Sequence, residues 1–573
     1  MMRKLELQWF LVVSLALGTA RGFAAKTPEA LYTLHPTALA SDAAALQVHL
    51  RLKGAAVAPD RPLVELPLVS WNVPTVADTL QDLEAHDQAG SLTLTAHDTG
   101  TGSETLRQWF ASRATRGEVS LSYTVRPPRA DAPRGAAPPV DLRAEAGALS
   151  GGATIVLLRP AIERARFNID WELSALPAGS SAALSPLPEG EGREVKLLDQ
   201  IYFMTGALRR YPDSPPGQGF YSAWQGDPPF DARSLMQWTG ELYGHYEKFF
   251  GTPAAPYTVF MRRNPVNAGG GMGMHRSFIV TFGDNGGNDP QELKFTLAHE
   301  MFHTFQPMLS ASKEQGGELA ASWFNEGLAV FYEHELPFRY GLIDANAFLK
   351  DVNFYAARYY TNALGNVPNS QVPARFWADT RIRTLPYDRG FLYFVTMDEA
   401  MRHASHGRRS LDDLMLAMKA LERSSGRPLV ARDWTDLLRR ELGSTAVQAF
   451  ERSLAGDTPL PSSGAFGSCY RRISKPLRRY ELGFEPAVLT ESPRIVRGLL
   501  PGSAAQAAGL RNGDEILRPV PQDKIQGTQD EWLHLAIRRG DAKLDISYLP
   551  RGETVPTWQW ERIRPGGAAR CGR

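Results

Sequence analysis

Two imidazoles four residues apart with a carboxylate beside the first, His299-Glu300-Met301-Phe302-His303, constrain this chain more than any other stretch. Positions four apart share a face on a helix, so a helix through these residues aims both rings at one point with Glu300 alongside. The third member is expected from Trp323-Phe324-Asn325-Glu326-Gly327-Leu328-Ala329-Val330-Phe331-Tyr332-Glu333, whose apolar spacing reads as a second helix carrying Glu326. Two His and one Glu suit a single Zn²⁺ and leave one coordination position for water. One such ion per chain is therefore expected, held by His299, His303 and Glu326. Further on, Pro386-Tyr387-Asp388-Arg389-Gly390-Phe391 offers a phenol, Tyr387, to the same site, with Asp388 and Arg389 read as an ordering ion pair.

At 573 residues the chain is too long for one core and divides into several domains. Its 63 Lys and Arg against 62 Asp and Glu leave a net charge of +1, so no electrostatic argument favours nucleic acid or an anionic membrane as partner. Met1-Met2-Arg3-Lys4, an apolar run over 9–17 and small residues up to Ala24-Ala25 have the order of a secretory signal peptide, expected over 1–25. The run is shorter than the ~20 residues a membrane span needs, so the mature chain is expected to be exported, periplasmic or secreted, without a span. Cys469 and Cys571 are the two cysteines, and in an exported protein they are expected to pair.

Over 26–193 the alternation of apolar and polar residues, as in Leu46-Gln47-Val48-His49-Leu50-Arg51-Leu52, predicts an antiparallel β domain. Residues 126–152, rich in Pro, Ala and Arg, are expected to form an exposed excursion. Over 194–460 the period changes: helices are predicted at 234–250, 291–305, 318–332, 391–404 and 411–421, with strands at 257–261 and 277–282. These predict a mixed, mainly helical α+β domain. The segment 470–573 is a third unit.

With these residues in view, the chain resembles the glycyl aminopeptidase family of zinc peptidases, metallopeptidase family sixty-one of the gluzincin clan. The resemblance rests on Pro67-Leu68-Val69-Ser70-Trp71-Asn72-Val73-Pro74, the paired-histidine stretch, Asn325-Glu326-Gly327, Tyr387 with Arg389-Gly390, and Met397-Asp398-Glu399-Ala400-Met401-Arg402. Ala508-Gly509-Leu510 and Asn512-Gly513-Asp514 in the last segment resemble a PDZ domain. The resemblance implies a thermolysin-like catalytic domain between a β domain and a PDZ-like domain. It also implies a peptide or protein substrate, and a peptide C-terminus in the PDZ-like groove as a second ligand.

The chemistry expected of such a site is peptide hydrolysis. Zn²⁺ lowers the pKa of a bound water towards ~7, Glu300 accepts its proton and returns it to the leaving amine, and Tyr387 donates to the oxyanion. The glycine run before the second strand, with Gly270, Gly271, Gly273 and Met274 as candidate substrate contacts, exposes backbone to which an extended peptide can add. One position departs from the family: its Gly-Gly-Leu-Glu-His type motif corresponds to Gly271-Met272-Gly273-Met274-His275, so Met274 stands where the family has a Glu that holds the substrate's α-amine. The competing reading is an exported binding protein with a non-catalytic zinc site, acting through its PDZ-like domain. A general base beside the ligands argues against it.

Overall fold

The computed structural model describes residues 27–38, 44–128, 138–162, 164–187, 194–215, 217–252, 255–265, 268–284, 286–518, 520 and 522–564. The expected signal peptide and Cys571 lie outside them. The described residues up to 206 form three sheets of four to six strands and one two-stranded pair around one apolar cluster. The largest has six strands in the order Arg166–Trp171, Glu29–Ala38, Ala45–Lys53, Val119–Val125, Gln81–Asp87, Gly90–Ser91. It is antiparallel except at one edge, where Glu29–Ala38 and Arg166–Trp171 run parallel, a pairing that local alternation does not encode.

The expected excursion over 126–152 is half wrong. Residues 129–137 lie outside the described set, but Arg143–Glu145 and Ala148–Gly152 are paired strands, the second wholly buried. Gly151 and Gly152 let the chain pass close to Leu142 and Val140, where an added Cβ would stand 3.3 and 3.2 Å away. Asp141 is buried by its partner: Arg262 donates to its carboxylate at 2.6 Å.

A five-stranded sheet separates this β region from the helices, in the order Arg209–Tyr211, Phe220–Trp224, Tyr257–Arg263, Ser277–Phe282, Gly271–Met274. Its central strands alternate sides. Val259, Met261, Phe278 and Val280 face the helical core, while Phe260 and Ile279 join the β-domain core. Gly271–Met274 is the outermost strand, and among the described residues its far backbone edge has no strand partner.

The helices Ala232–Phe250, Pro290–His303, Glu318–Arg339, Leu385–Ala404 and Leu411–Ser425 fall where the apolar spacing predicts them. The paired-histidine helix starts where Asp289 caps it, accepting from the Gln291 amide at 2.8 Å with Pro290 in the first turn. The helix Ala345–Tyr360 packs behind these. Among the described residues no helix is long and apolar enough to cross a membrane.

The last segment has two parts. The long strands Tyr470–Tyr480 and Arg551–Arg562 pair with each other, and Tyr470 and Trp560 are buried in the helical core. Beyond them, 480–548 has its own apolar cluster and a four-stranded antiparallel sheet. Its helices are short, Ala504–Ala507 and Asp523–Gly527, and the second faces the helical domain. Cys469 is disulfide-bonded.

Candidate metal centre

The motif helix and the long helix Glu318–Arg339 bring the three expected ligands together. His299 Nε2 lies 3.1 Å from Glu326 Oε2 and 3.1 Å from His303 Nε2, and the third edge of the triangle is 3.5 Å. Ligand atoms around a tetrahedral zinc stand about 3.3 to 3.6 Å apart, so the triangle fits that ion with little adjustment. Electrostatics point the same way. Burial depresses the His299 imidazole, yet Glu326 and Glu333 outweigh it and hold the ring well above its ordinary value. Burial likewise lifts Glu326, and His303 and His299 reverse this to hold it well below the usual carboxylate range. A centre that draws a proton this strongly favours a cation.

Three supporting residues carry no signal in the motif. Glu333, buried one helical face on from Glu326, lies 2.6 Å from His299 Nδ1. That bond places the proton on Nδ1 and leaves the Nε2 lone pair for a metal. Tyr355, from the helix behind, donates to the other Glu333 oxygen at 2.7 Å. The Gln306 amide lies 2.8 Å from His303 Nδ1 and is tied to the Asn325 carbonyl at 3.0 Å, which orients the second ring. Glu333 stands seven residues, about two turns, beyond Glu326, and its partner lies 34 residues back in the sequence.

Glu300 sits beside the triangle with its pKa raised, chiefly by burial and against the pull of His299 and His303. Tyr387 stacks on His299, ring centroids 5.9 Å apart. Burial, then the charges of Glu326 and Glu300, keep its phenol protonated and hence a donor. Its hydroxyl has no hydrogen-bond partner among the described residues. The expected Asp388–Arg389 pair is not formed. Asp388 is bound by Arg358, at 2.6 Å from one guanidinium nitrogen and 2.9 Å from another, while Arg389 donates to the Val367 carbonyl at 2.7 Å. Consecutive helical residues point about 100° apart, so neighbours in sequence seldom pair.

Two glycines set the distance between these helices. A Cβ on Gly327 would lie 2.5 Å from Gly390 Cα, and one on Gly390 would lie 2.4 Å from the Trp323 carbonyl oxygen. Glu326 precedes one glycine and Tyr387 lies three residues before the other, so this contact fixes ligand and phenol relative to each other.

Across the cleft runs the edge strand. A Cβ on Gly273 would stand 3.5 Å from Glu300 Oε2, so this strand passes directly over the candidate base. Successive residues of a strand point to opposite faces. Met274 accordingly turns away, buried in the β-domain cluster with Met272 against it. Gly271 is close under the Phe278 ring, and Gly270 has open space where a side chain would be.

No family model matches the chain, and no curated protein matches it. Among solved structures, the aminopeptidase N family protein from Idiomarina loihiensis is similar with a TM-score of 0.64 at 15% identity, over 94% of this chain and 98% of that one. Yeast LTA4 hydrolase gives a TM-score of 0.44 at 14% identity, over 76% of this chain and 69% of that one. An M1 zinc metallopeptidase from Deinococcus radiodurans gives 0.38 at 17%, over 76% and 97%. The chain shares its fold, nearly end to end, with the aminopeptidase N family protein of Idiomarina loihiensis.

Proposed function

We propose that this chain is an exported zinc metallopeptidase of the glycyl aminopeptidase type, with a PDZ-like C-terminal domain. The observation that carries the reading is the triangle of His299, His303 and Glu326, backed by Glu333 and flanked by Glu300 and Tyr387. Zn²⁺ held there would supply a water acidified to a pKa near ~7 and polarise the scissile carbonyl. The chain's own groups do the rest. Glu300 holds the water's proton on its carboxylate and passes it to the leaving nitrogen, a role for which a raised pKa suits it. Tyr387, kept protonated, donates from its hydroxyl to the carbonyl oxygen as charge builds there. The free edge of Gly271–Met274 binds the extended peptide backbone above Glu300.

Specificity for a free N-terminus needs a carboxylate aimed at the α-ammonium, because an unpaired buried charge costs several kcal/mol. On the face of the edge strand nearest Glu300 stand Gly271 and Gly273, and Met274 is turned into the β-domain core. Glu333 has both oxygens engaged by His299 and Tyr355, and Glu318 is exposed at the start of its helix. The proposed enzyme therefore cuts N-terminally blocked peptides at least as well as free ones. Matched acetylated and unacetylated peptide pools, digested and read by mass spectrometry, test this. Release of single residues from free peptides alone would restore strict aminopeptidase specificity. Absence of cleavage in both pools with zinc bound would reject the peptidase.

A further inference from the structure

The C-terminal unit does not hang from the catalytic domain. One of its segments reaches the metal-bearing helix. Glu292 precedes His299 by seven residues and His303 by eleven, which is about 20° short of two turns and about 20° past three. Glu292 therefore lies on the same face as both histidines, about 10 Å towards the helix start. Lys524, from the C-terminal unit, pairs with it at 3.0 Å.

The adjoining residue holds the other side of the cleft. Asp523 accepts from Arg383 at 2.7 Å and from the Thr380 hydroxyl, and Arg383 lies one turn before Tyr387. Gln526, almost fully buried, donates to Thr380 Oγ1 at 2.9 Å. Gly527 lies so close to the Phe354 ring that a Cβ there would be 2.5 Å from it. From its own domain, Arg551 donates to the Ile525 and Thr528 carbonyls. The paired long strands are themselves anchored to Ala345–Tyr360, the helix that carries Phe354: Asn353 donates to the Trp560 carbonyl at 2.7 Å and accepts from its amide at 2.7 Å.

We propose that Asp523–Gly527 is a roof over one end of the catalytic cleft, spanning from the metal-bearing helix face to the approach to Tyr387, and that it restricts the enzyme to short peptides. This rests on the peptidase reading above. A peptide that runs over Glu300 and on along the histidine face towards Glu292 would meet the roof. Short peptides would end before it, and longer chains would not. The Lys524–Glu292 pair is about half exposed at both residues, so it can be altered without opening the core.

The test is a series of peptides sharing one scissile sequence but differing in length, with kcat/KM measured for each. Lys524→Glu sets two like charges together and lifts that end of the roof. It is expected to raise the ratio of kcat/KM for long over short peptides by about fivefold or more, with zinc content unchanged. The swap Glu292→Lys with Lys524→Glu restores the pair and should return the ratio to its original value, which general damage to the fold would not do. A ratio that stays constant in both variants overturns the roof and leaves the peptidase reading intact. A wild-type protein that cuts no peptide of any length with zinc bound overturns both.

Discussion

The side chains around the metal triangle differ in what they contribute, and single substitutions separate them. Glu333 is buried with both carboxylate oxygens engaged. It fixes the His299 tautomer through a 2.6 Å bond to Nδ1 and is itself steadied by Tyr355. Glu333→Gln should weaken zinc affinity by about 10- to 100-fold while leaving the folded protein able to take up zinc at high concentration. Competition with a chelator of known affinity measures it, and an unchanged affinity would show that His299 is oriented without Glu333. In the proposed mechanism Tyr387 acts on the carbonyl oxygen instead. Tyr387→Phe should bind zinc normally and lower kcat by about 10²- to 10³-fold with a small change in KM. Steady-state kinetics with metal analysis on the same sample check both halves.

At this scale the two histidines are legible in sequence because helical spacing sets them on one face, and Glu326 is legible as a carboxylate on a second apolar-spaced helix. The supporting residues are not. Glu333 acts across a helix–helix contact that no local pattern encodes, and Gln306 reaches His303 from just past the end of its own helix while held by the Asn325 carbonyl of the other. Met274 is a different failure. Its place beside the cleft is readable, but the strand Gly271-Met272-Gly273-Met274 has methionine on one face and glycine on the other, and only the packed cores show which face looks at Glu300.

Among elements, the crossing of the long helix with Leu385–Ala404 carries the site's geometry. The Gly327–Gly390 contact explains why glycine follows Glu326 so closely and recurs just after Tyr387. Gly390→Ala would press a methyl into the Trp323 carbonyl and Gly327 Cα, at 2.4 and 2.8 Å. Such overpacking costs about 1–3 kcal/mol, and it also pushes Tyr387 away from Glu326. The expected result is lower thermal stability together with a fall in kcat. Loss of stability alone would mean that the helices re-seat without moving the site. The helix Ala345–Tyr360 is not among the predicted helices, although Phe348, Val352, Ala356 and Tyr359 are buried at helical spacing. It serves the site twice, sending Tyr355 to Glu333 and Arg358 to Asp388.

At the scale of the whole molecule, the β region, the helices and the C-terminal unit all converge on one cleft. The five-stranded sheet belongs to two cores at once, so the edge strand over Glu300 is held from the β side while the metal ligands are held from the helical side. The C-terminal unit then closes on the helix that supports both Glu333 and Asp388. The change from β to helical regions is visible in the hydrophobic period along the chain, and the C-terminal unit in the motifs of its own sequence. The docking between them is not, because it runs through single residues such as Asn353, Lys524 and Asp523. The central claim is that this assembly serves hydrolysis with Glu300 as base, and it is tested most directly by comparing wild type and Glu300→Gln after zinc loading, measuring bound metal and peptide cleavage on the same samples. The account predicts one zinc per chain in both proteins and cleavage by the wild type alone, since an amide cannot accept the proton. Cleavage by Glu300→Gln at the wild-type rate, or wild type that binds no zinc, would contradict it.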